Sequence, residues 1–302
     1  MARRRKGRAI HGILLLDKRT GVSSNRALQE VKRLFDANKA GHTGSLDPLA
    51  TGLLPVCFGE ATKVSSYLLD SHKQYRAQIE LGVITDSGDT DGNVIEQRPV
   101  PVLDQQQIEV CLQGFIGECA QVPPMYSALK HNGKRLYELA RQGLVVERKA
   151  RLINIDEIVL KAFDGQSLTI EVACSKGTYI RTLAEDIGEQ LGCGATISGL
   201  RRLRVSEFDI NAAKTLEDLQ GIDNDAMLQQ LLIPVDSVLG HWPSIMLNKD
   251  QAQAIVHGQT LSNIEDDCAG KVRIYQDDIF LGIGELQPTG QLAPKRIFNL
   301  TQ

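Results

Sequence analysis

One carboxylate and one imidazole lie among three glycines in the stretch Gly41-His42-Thr43-Gly44-Ser45-Leu46-Asp47-Pro48-Leu49-Ala50-Thr51-Gly52-Leu53-Leu54-Pro55. Because Pro48 disfavours helical backbone at Asp47 and glycine allows tight turns, we expect the Asp47 carboxylate to project from a fixed loop between apolar segments. An aspartate before a proline is also typical of a helix cap. The local pattern therefore leaves two hypotheses for Asp47, a capping residue and a chemical group.

The letters of residues 41–55 resemble the catalytic motif of the TruB family, the bacterial tRNA pseudouridine-55 synthases. Four further segments match the same family in the same order: GILLLDK at 12–18, KQYRA at 73–77, VPPMYSALK at 122–130 and KGTYIRTL at 176–183. The chain departs from the family at Arg19, where a proline is usual, and this departure concerns the shape of one turn. The resemblance favours the chemical hypothesis for Asp47.

The resemblance implies an α+β protein with the pseudouridine-synthase fold, a mixed, largely antiparallel sheet flanked by helices, and a small C-terminal β-rich domain of the PUA type. Together with the change in composition after Asp209, it predicts three regions. They are a basic, disordered tail at 1–10, a catalytic domain at 11–245 with an RNA-binding arm at about 122–150, and a PUA-type RNA-binding domain at 246–302. Neither G-x-G-x-x-G nor G-x-x-x-x-G-K-[ST] occurs, which disfavours a nucleotide-cofactor fold.

Hydrophobic spacing and turn residues predict the individual elements. Strands are expected at 12–17, from Tyr75 to Leu81, at 152–161, 167–174, 197–208, 271–275, 279–286 and 296–300. Helices are expected after a cap at Ser23-Ser24, up to Leu69, and at 105–115, 178–191 and 216–232. The segment Thr85 to Gly92 is rich in aspartate, but aligning Gly92 with the glycine of a calcium loop puts Arg98 where glutamate is needed, so we interpret it as a turn.

Charged residues are distributed unevenly along the chain. Residues 1–76 carry fourteen Lys/Arg against six Asp/Glu, whereas residues 205–302 carry six against fourteen, although the net charge of the whole chain is only −3. Residues 130–151 add seven Lys/Arg against two Glu. A basic region of this kind is the electrostatic footprint of phosphate binding, and a solvated basic face is the alternative.

The remaining composition limits where the protein works. Six cysteines without a C-x-x-C pair indicate reduced, mostly buried thiols, and the apolar run Ile13 to Leu16 is too short for a signal peptide or a membrane span. We therefore expect a cytoplasmic protein. An organelle presequence is the alternative interpretation of the arginine-rich start.

The resemblance also assigns roles to particular residues. Asp47, Tyr75 and Arg181 are implied to be catalytic, with Asp47 as the nucleophile and Arg181 as the cation that keeps it ionised. The implied substrate-binding residues are His42, Tyr75, Tyr179, Leu200 and Lys18. Tyr75 would stack on a flipped base, Tyr179 and Leu200 would line the pocket, and His42 would enter the space that the base leaves. Lys18 would contact a phosphate or extend along a strand end.

The implied reaction is an isomerisation of uridine 55 in the TΨC loop of tRNA, which adds no group and changes no redox state. We therefore expect no cofactor and no metal. The expected partner is tRNA, with no membrane, no required protein partner and a monomeric state. The alternatives are a non-catalytic tRNA-binding or tRNA-folding protein, a pseudouridine synthase for another RNA, and an Asp-nucleophile hydrolase. The last lacks the second carboxylate or the metal cluster that it usually needs.

Overall fold

The computed structural model describes residues 7–266 and 268–300, in which strands and helices are numbered in chain order. The strands are β1 (Gly12–Lys18), β2 (Ala40–His42), β3 (Thr51–Phe58), β4 (Lys73–Leu81), β5 (Val83–Thr85), β6 (Val94–Gln97), β7 (Gly117–Gln121), β8 (Lys130–His131), β9 (Lys134–Arg135), β10 (Arg151–Phe163), β11 (Ser167–Cys174), β12 (Ala195–Val205), β13 (Phe208–Asp209), β14 (Ser244–Met246), β15 (Gly270–Gln276), β16 (Ile279–Leu286) and β17 (Leu292–Ile297).

The α-helices in the same ranges are α1 (Ser24–Leu34), α2 (Ser65–Leu69), α3 (Gln105–Gln113), α4 (Leu136–Ala140), α5 (Ile180–Gln190), α6 (Leu216–Gln220), α7 (Asp225–Gln230) and α8 (Lys249–Val256). Short 3-10 helices cover Gly59–Lys63, Ile210–Ala212 and Val235–Leu239. None of these helices combines the length and the apolar content needed to span a bilayer.

A nine-stranded sheet forms the larger part of the structure. Its main path runs β1-β3-β12-β4-β11-β10-β7, with β2 beside β3 and β13 beside β12. Only the β12–β3 pair among these is parallel, and the other pairs are antiparallel. The predicted α+β class, with a mixed and largely antiparallel sheet, is confirmed. β12 lies between β3 and β4. This position matters most for the site, because β3 begins just after the Asp47 loop.

Both faces of the sheet are covered at the end formed by β1 and β3. Neighbouring residues of β1 and β3 belong alternately to two different apolar clusters, because side chains alternate across a strand. Leu14 and Leu54 pack with α1 and α6, whereas Ile13 and Leu53 pack with the C-terminal part of the chain. This double burial explains why the sequence of β1 is a continuous apolar run rather than an alternating one.

Most predicted elements occur close to their expected positions. The Ser23 hydroxyl accepts a hydrogen bond from the Arg26 amide, and so caps α1 as predicted. β11 and β16 have the predicted limits, whereas the predicted helix at 216–232 is divided into α6 and α7. His42, expected in the loop, ends the short strand β2. The predicted strand at 296–300 is displaced, because β17 ends at Ile297.

The C-terminal part contains a second sheet, with the order β14-β15-β16-β17. It also contains α8, which the sequence interpretation missed, although the Asn248 side chain and Gln251 form a capping box at its start. This sheet has an apolar cluster of its own, and it also packs Phe280, Ile283 and Phe298 against residues of the large sheet. The two sheets are therefore joined by a shared apolar contact.

The start of the described chain is packed. The Arg8 amide donates to the Asp36 carbonyl at 2.6 Å, its side chain pairs with Asp225, and Ile10 is buried. The predicted disordered tail at 1–10 therefore extends too far, because the described residues 7–10 are packed. The basic run of residues 3–6 lies outside the described residues. The prediction of mostly buried thiols is confirmed by Cys57, Cys111, Cys174 and Cys193, which are buried and unbridged.

Gly52 permits the close approach of β12 to β3. Its φ is +101°, and a Cβ atom there would lie 2.3 Å from the carbonyl oxygen of Arg202 and 2.7 Å from its amide nitrogen. Gly165 has a similar φ of +94°, but a Cβ atom there would meet nothing within 4 Å beyond its own chain neighbours. A side chain would strain the backbone at both Gly52 and Gly165, but only at Gly52 would it also collide with a neighbouring strand.

We expect Gly52→Ala to lower the free energy of unfolding by about 2 kcal/mol more than Gly165→Ala, because the collision adds to the strain. Urea unfolding followed by circular dichroism measures the difference. Equal losses in the two variants would show that β12 moves away from β3 at little cost.

Candidate active site

The loop that carries Asp47 is held by hydrogen bonds on both sides of the carboxylate. The buried Ser24 hydroxyl accepts from the Leu46 amide at 2.7 Å and donates to the Leu46 carbonyl at 3.0 Å. The Gly21 amide donates to the Pro48 carbonyl at 2.9 Å. The start of α1 and the turn before it therefore fix the residues on either side of Asp47, as the sequence predicted for a projecting carboxylate.

Arg181 lies at the start of α5 and is 5% exposed. Its Nη1 donates to the Ser87 carbonyl at 2.8 Å, and its Nη2 donates to the Tyr126 carbonyl at 2.6 Å. Nη2 also lies 3.1 Å from Oδ2 of Asp47. The guanidinium is thus oriented by two loops distant in sequence before it reaches the carboxylate, so the Asp47–Arg181 pair does not depend on a mobile surface side chain.

Asp89 is a second carboxylate beside Arg181, and the sequence interpretation did not identify it. It is 6% exposed, and its Oδ2 lies 3.6 Å from Nη1 of Arg181. Its Oδ1 accepts from the Ser87 hydroxyl at 2.6 Å and from the Asp91 amide at 3.3 Å. The segment 85–92 is a turn, as predicted, but nothing in its spacing indicated that the turn closes over Arg181.

The protonation of Asp47 depends on opposing effects. Burial raises the pKa of the Asp47 carboxyl above its ordinary value, and the Arg181 guanidinium opposes this rise. Asp89 raises the pKa further, whereas Lys18 lowers it. The Asp47 side chain keeps 44% of its surface exposed, so the carboxylate stays accessible although its surroundings are poorly solvated. Arg181 is the principal group that favours the ionised form.

Tyr75 lies on β4, where it is paired with Arg202 of β12 and Val172 of β11. Its ring is partly buried against the main apolar cluster, as is the side chain of Leu200. Burial raises the pKa of the Tyr75 phenol, and the neighbouring Arg202 opposes that rise. The negative charge of Asp47 also raises this pKa, which places the phenol within electrostatic reach of the carboxylate.

Tyr179 directly precedes α5 and is held by a buried glutamine. The Gln121 side chain donates to the Tyr179 carbonyl at 3.1 Å and accepts from the Tyr179 amide at 2.8 Å. Burial raises the pKa of the Tyr179 phenol, and the Asp47 charge adds to the rise. Gln121 is a further residue that the sequence did not reveal, because its partners belong to the backbone and leave no pattern in the side chains.

His42 ends β2 beside the Asp47 loop, and its surroundings favour the neutral ring. Burial lowers the pKa of His42, and the positive charge of Arg202 lowers it further. Its Nδ1 is buried and makes no hydrogen bond within the described part of the chain. A ring nitrogen in this state is available for a partner that enters the site.

Lys18 is not placed for the phosphate contact that the sequence suggested. It is 1% exposed, and its Nζ donates to the carbonyls of Arg19 at 2.9 Å, Val22 at 2.8 Å and Pro48 at 3.5 Å. Burial lowers the pKa of Lys18 to about 8, and Asp47 opposes that change. The three donors of the ammonium are occupied by backbone, so Lys18 supports the Asp47 loop from below the surface instead of reaching solvent.

The arrangement supplies one accessible carboxylate, a buried cation that holds it, and two phenols beside it. Within residues 7–266 and 268–300, no three His, Cys, Asp or Glu side chains are grouped so that they could hold a metal ion. Such a site can perform covalent catalysis through Asp47 and proton transfer through a phenol.

Comparison with known families gives a match along nearly the whole chain. Residues 32–180 match the TruB family pseudouridylate synthase N-terminal domain. Residues 181–240 match the tRNA pseudouridylate synthase B C-terminal domain, and residues 243–298 match the family described as pseudouridine synthase II TruB, C-terminal. The family matches and the fold are those of a pseudouridine synthase.

Individual relatives agree with this class. A tRNA pseudouridine synthase B of Chromohalobacter salexigens is 53% identical over 304 residues, which cover 99% of this chain and 98% of the relative. The enzyme of the same name from Vibrio vulnificus is 49% identical over 308 residues, covering 98% of each chain. The chain belongs to the TruB family of pseudouridylate synthases.

Solved structures support the fold. A chain of a Cbf5-Nop10-Gar1 complex superposes with a TM-score of 0.71 at 25% identity, covering 96% of this chain and 85% of that one. A chain of an H/ACA RNP bound to a substrate RNA containing 2'-deoxyuridine superposes with a TM-score of 0.71 at 23% identity, covering 99% and 92%. The second match concerns the fold alone.

Two substitutions should move the pKa of Asp47 in opposite directions. Arg181→Met removes the cation that favours the carboxylate and should raise this pKa, whereas Asp89→Asn removes a neighbouring negative charge and should lower it. Titration of the Asp47 side-chain carbon by NMR measures both shifts. Because the reaction proposed for this site needs the ionised form, the acid limb of the rate profile should move to higher pH in Arg181→Met.

Arg181→Lys is the control, because it keeps the charge but loses the planar fork, and it should shift the pKa of Asp47 less than Arg181→Met does. A shift of the same sign in Arg181→Met and Asp89→Asn would contradict the electrostatic interpretation of the site.

Proposed function

We propose that this protein converts uridine 55 in the TΨC loop of tRNA into pseudouridine, with Asp47 as the nucleophile acting on a flipped-out nucleotide. The observation that carries the proposal is the 3.1 Å contact between Asp47 and the buried Arg181 in a chain of the TruB family. The relatives named tRNA pseudouridine synthase B support tRNA as the substrate.

The chemistry of the isomerisation fits a single ionised carboxylate. The bond from C1′ of the ribose to N1 of the base breaks, and a bond from C1′ to C5 forms. The proton of C5 leaves and N1 gains one, so no electrons and no groups are supplied from outside. A carboxylate nucleophile can carry the nucleotide while its glycosidic bond is open, and Arg181 keeps Asp47 in the form that does so.

The target base has to leave the folded RNA to reach Asp47. We assign Tyr75 as the surface on which the flipped base stacks, with Tyr179 and Leu200 lining the pocket. Tyr75 and Leu200 both pack partly buried against the main apolar cluster, which supports a rigid platform. His42 would fill the space that the base vacates, and its unsatisfied Nδ1 is suited to a nucleic-acid hydrogen bond.

Binding of the tRNA would use the basic surface of the first half and the arm at about 122–150. We assign catalysis to residues 11–245 and additional RNA affinity to a PUA-type domain at 246–302. Because the second sheet shares an apolar cluster with the first, removal of the C-terminal domain would expose apolar surface of the catalytic domain. Point substitutions are therefore a safer test of the catalytic site than truncation.

We also propose that the protein works in the cytoplasm as a monomer and needs no protein partner. Turnover by the purified protein tests whether a protein partner is needed, and sedimentation of the same protein tests whether it is a monomer.

Asp47→Asn should reduce formation of pseudouridine by roughly 10⁴-fold or more, because the amide is isosteric but a very poor nucleophile. Affinity for tRNA should stay close to that of the unchanged protein, since phosphate contacts spread over a large surface supply most of it. Single-turnover assays with excess enzyme measure the rate, and filter binding measures the affinity.

Asp186→Asn is the matched control, because Asp186 is an exposed carboxylate on α5, the helix that begins next to Arg181. It should keep the rate of the unchanged protein. A folded Asp47→Asn variant that turns over at more than a trace would remove Asp47 from the mechanism. Mapping of pseudouridine by reverse-transcription stops should give position 55, whereas a different position, or binding without modification, would support one of the alternative functions.

Tyr75→Phe should keep the stacking surface and tRNA affinity but lower the single-turnover rate by about a hundredfold, because the hydroxyl is lost as a proton-transfer group. Tyr75→Leu should lower the rate further, since stacking is lost as well. An unchanged rate in Tyr75→Phe would leave the tyrosine as a stacking platform only, and an unchanged rate in both variants would contradict its assignment to the site.

A further inference from the structure

Arg202 is a buried cation that differs from Arg181 in its surroundings. It is 1% exposed, and no carboxylate of residues 7–266 or 268–300 lies within ion-pair distance of it. Its Nε donates to the Leu53 carbonyl at 2.7 Å, and its Nη2 donates to the Gly44 carbonyl at 3.1 Å. A guanidinium is costly to bury without a counter-ion, so packing alone does not explain its presence.

The position of Arg202 joins three parts of the active site. Its backbone is opposite Gly52 of β3 on one side and opposite Tyr75 of β4 on the other. Directly opposite residues on neighbouring strands have adjacent side chains on one face, and the positive charge of the Arg202 guanidinium acts on the Tyr75 phenol. The Gly44 carbonyl that it also holds belongs to the Asp47 loop.

We propose that Arg202 is a positioning residue for the isomerisation: its guanidinium holds the Gly44 and Leu53 carbonyls beside Tyr75 and thereby fixes the distance between the Tyr75 hydroxyl and the Asp47 carboxylate. This inference rests on the proposed function, because it concerns the same site. A rigid, planar fork can hold two carbonyls at one geometry, which a flexible ammonium does less well.

The charge of Arg202 has a second effect on the phenol. Burial raises the pKa of Tyr75, Arg202 opposes the rise, and Cys174 and Asp47 are the other titratable groups that face it. Loss of the guanidinium should therefore raise this pKa. That shift shows whether the guanidinium faces the phenol, because an arginine distant from Tyr75 would not produce it.

The first test is a double-mutant cycle. Arg202→Met should lower the single-turnover rate by about a hundredfold with Tyr75 present but only severalfold in Tyr75→Phe, because displacement of a hydroxyl has no effect once the hydroxyl is gone. Arg202→Lys should lie between the unchanged protein and Arg202→Met. Affinity for tRNA should stay unchanged, since Arg202 is inaccessible. Equal losses with and without the Tyr75 hydroxyl would overturn the proposal.

Arg201→Met is the matched control. Arg201 is the preceding residue on β12, and its guanidinium pairs with Asp17 at 2.6 Å and reaches the Thr51 hydroxyl at the start of β3 instead of the Gly44 carbonyl. Any effect of Arg201→Met on the rate should be the same with Tyr75 and with Tyr75→Phe. A dependence on the Tyr75 hydroxyl as large as that of Arg202 would overturn the specific assignment.

The second test needs no turnover, so it separates this inference from the proposed function. With tyrosines labelled at the ring carbon that bears the hydroxyl, the Tyr75 resonance should titrate at higher pH in Arg202→Met, and an unchanged titration would overturn the proposal. If Arg202→Met does not fold, Tyr75→Phe in the otherwise unchanged protein should shift the Arg202 Nε–H resonance. An unshifted resonance would overturn it equally. Absence of pseudouridine formation by the unchanged protein would instead refute the proposed function.

Discussion

The structure around the site depends on the burial of the Arg181 guanidinium. Removing such a charge from water costs several kcal/mol, and the cost is met only where acceptors surround it. Two backbone carbonyls and two carboxylates do so here, from Ser87, Tyr126, Asp47 and Asp89. The start of α5, the arm, the aspartate-rich turn and the Asp47 loop are therefore brought to one place by the same cation.

This constraint also determines how reactive Asp47 can be. A carboxylate beside a strongly bound arginine would ordinarily be a weak base and a shielded nucleophile. Burial acts in the other direction on the pKa of Asp47, and Asp89 shares the Arg181 charge. Arg181 thus favours the ionised form of Asp47 against a burial that raises its pKa. The structure pairs this partly compensated carboxylate with an exposed surface, as a group that attacks a substrate requires.

The elements and the main site residues could be predicted because their signals are local. A continuous apolar run predicted β1, a serine cap predicted α1, and the motif at residues 41–55 predicted the Asp47 loop. Asp89 and Gln121 could not be found in this way, because each acts through a contact between segments far apart in the chain. The burial of Lys18 could not be found for a related reason. A lysine at a strand end is usually solvated, and only the turn at Arg19 to Val22 encloses it.

Residues outside the Asp47 loop also shape it. Gly44 has a φ of +97°, and a Cβ atom there would lie 3.5 Å from Nη1 of Arg202, while Gly52 meets the Arg202 backbone directly. Gly52 therefore leaves room for the backbone of Arg202, and the Arg202 side chain in turn holds the carbonyls of Gly44 and Leu53. The motif at residues 41–55 supplies one side of a contact. The other side is supplied by β12, the strand that carries Arg202. The glycine at position 52 follows from the close approach of β12, and the chemistry of Asp47 does not require it.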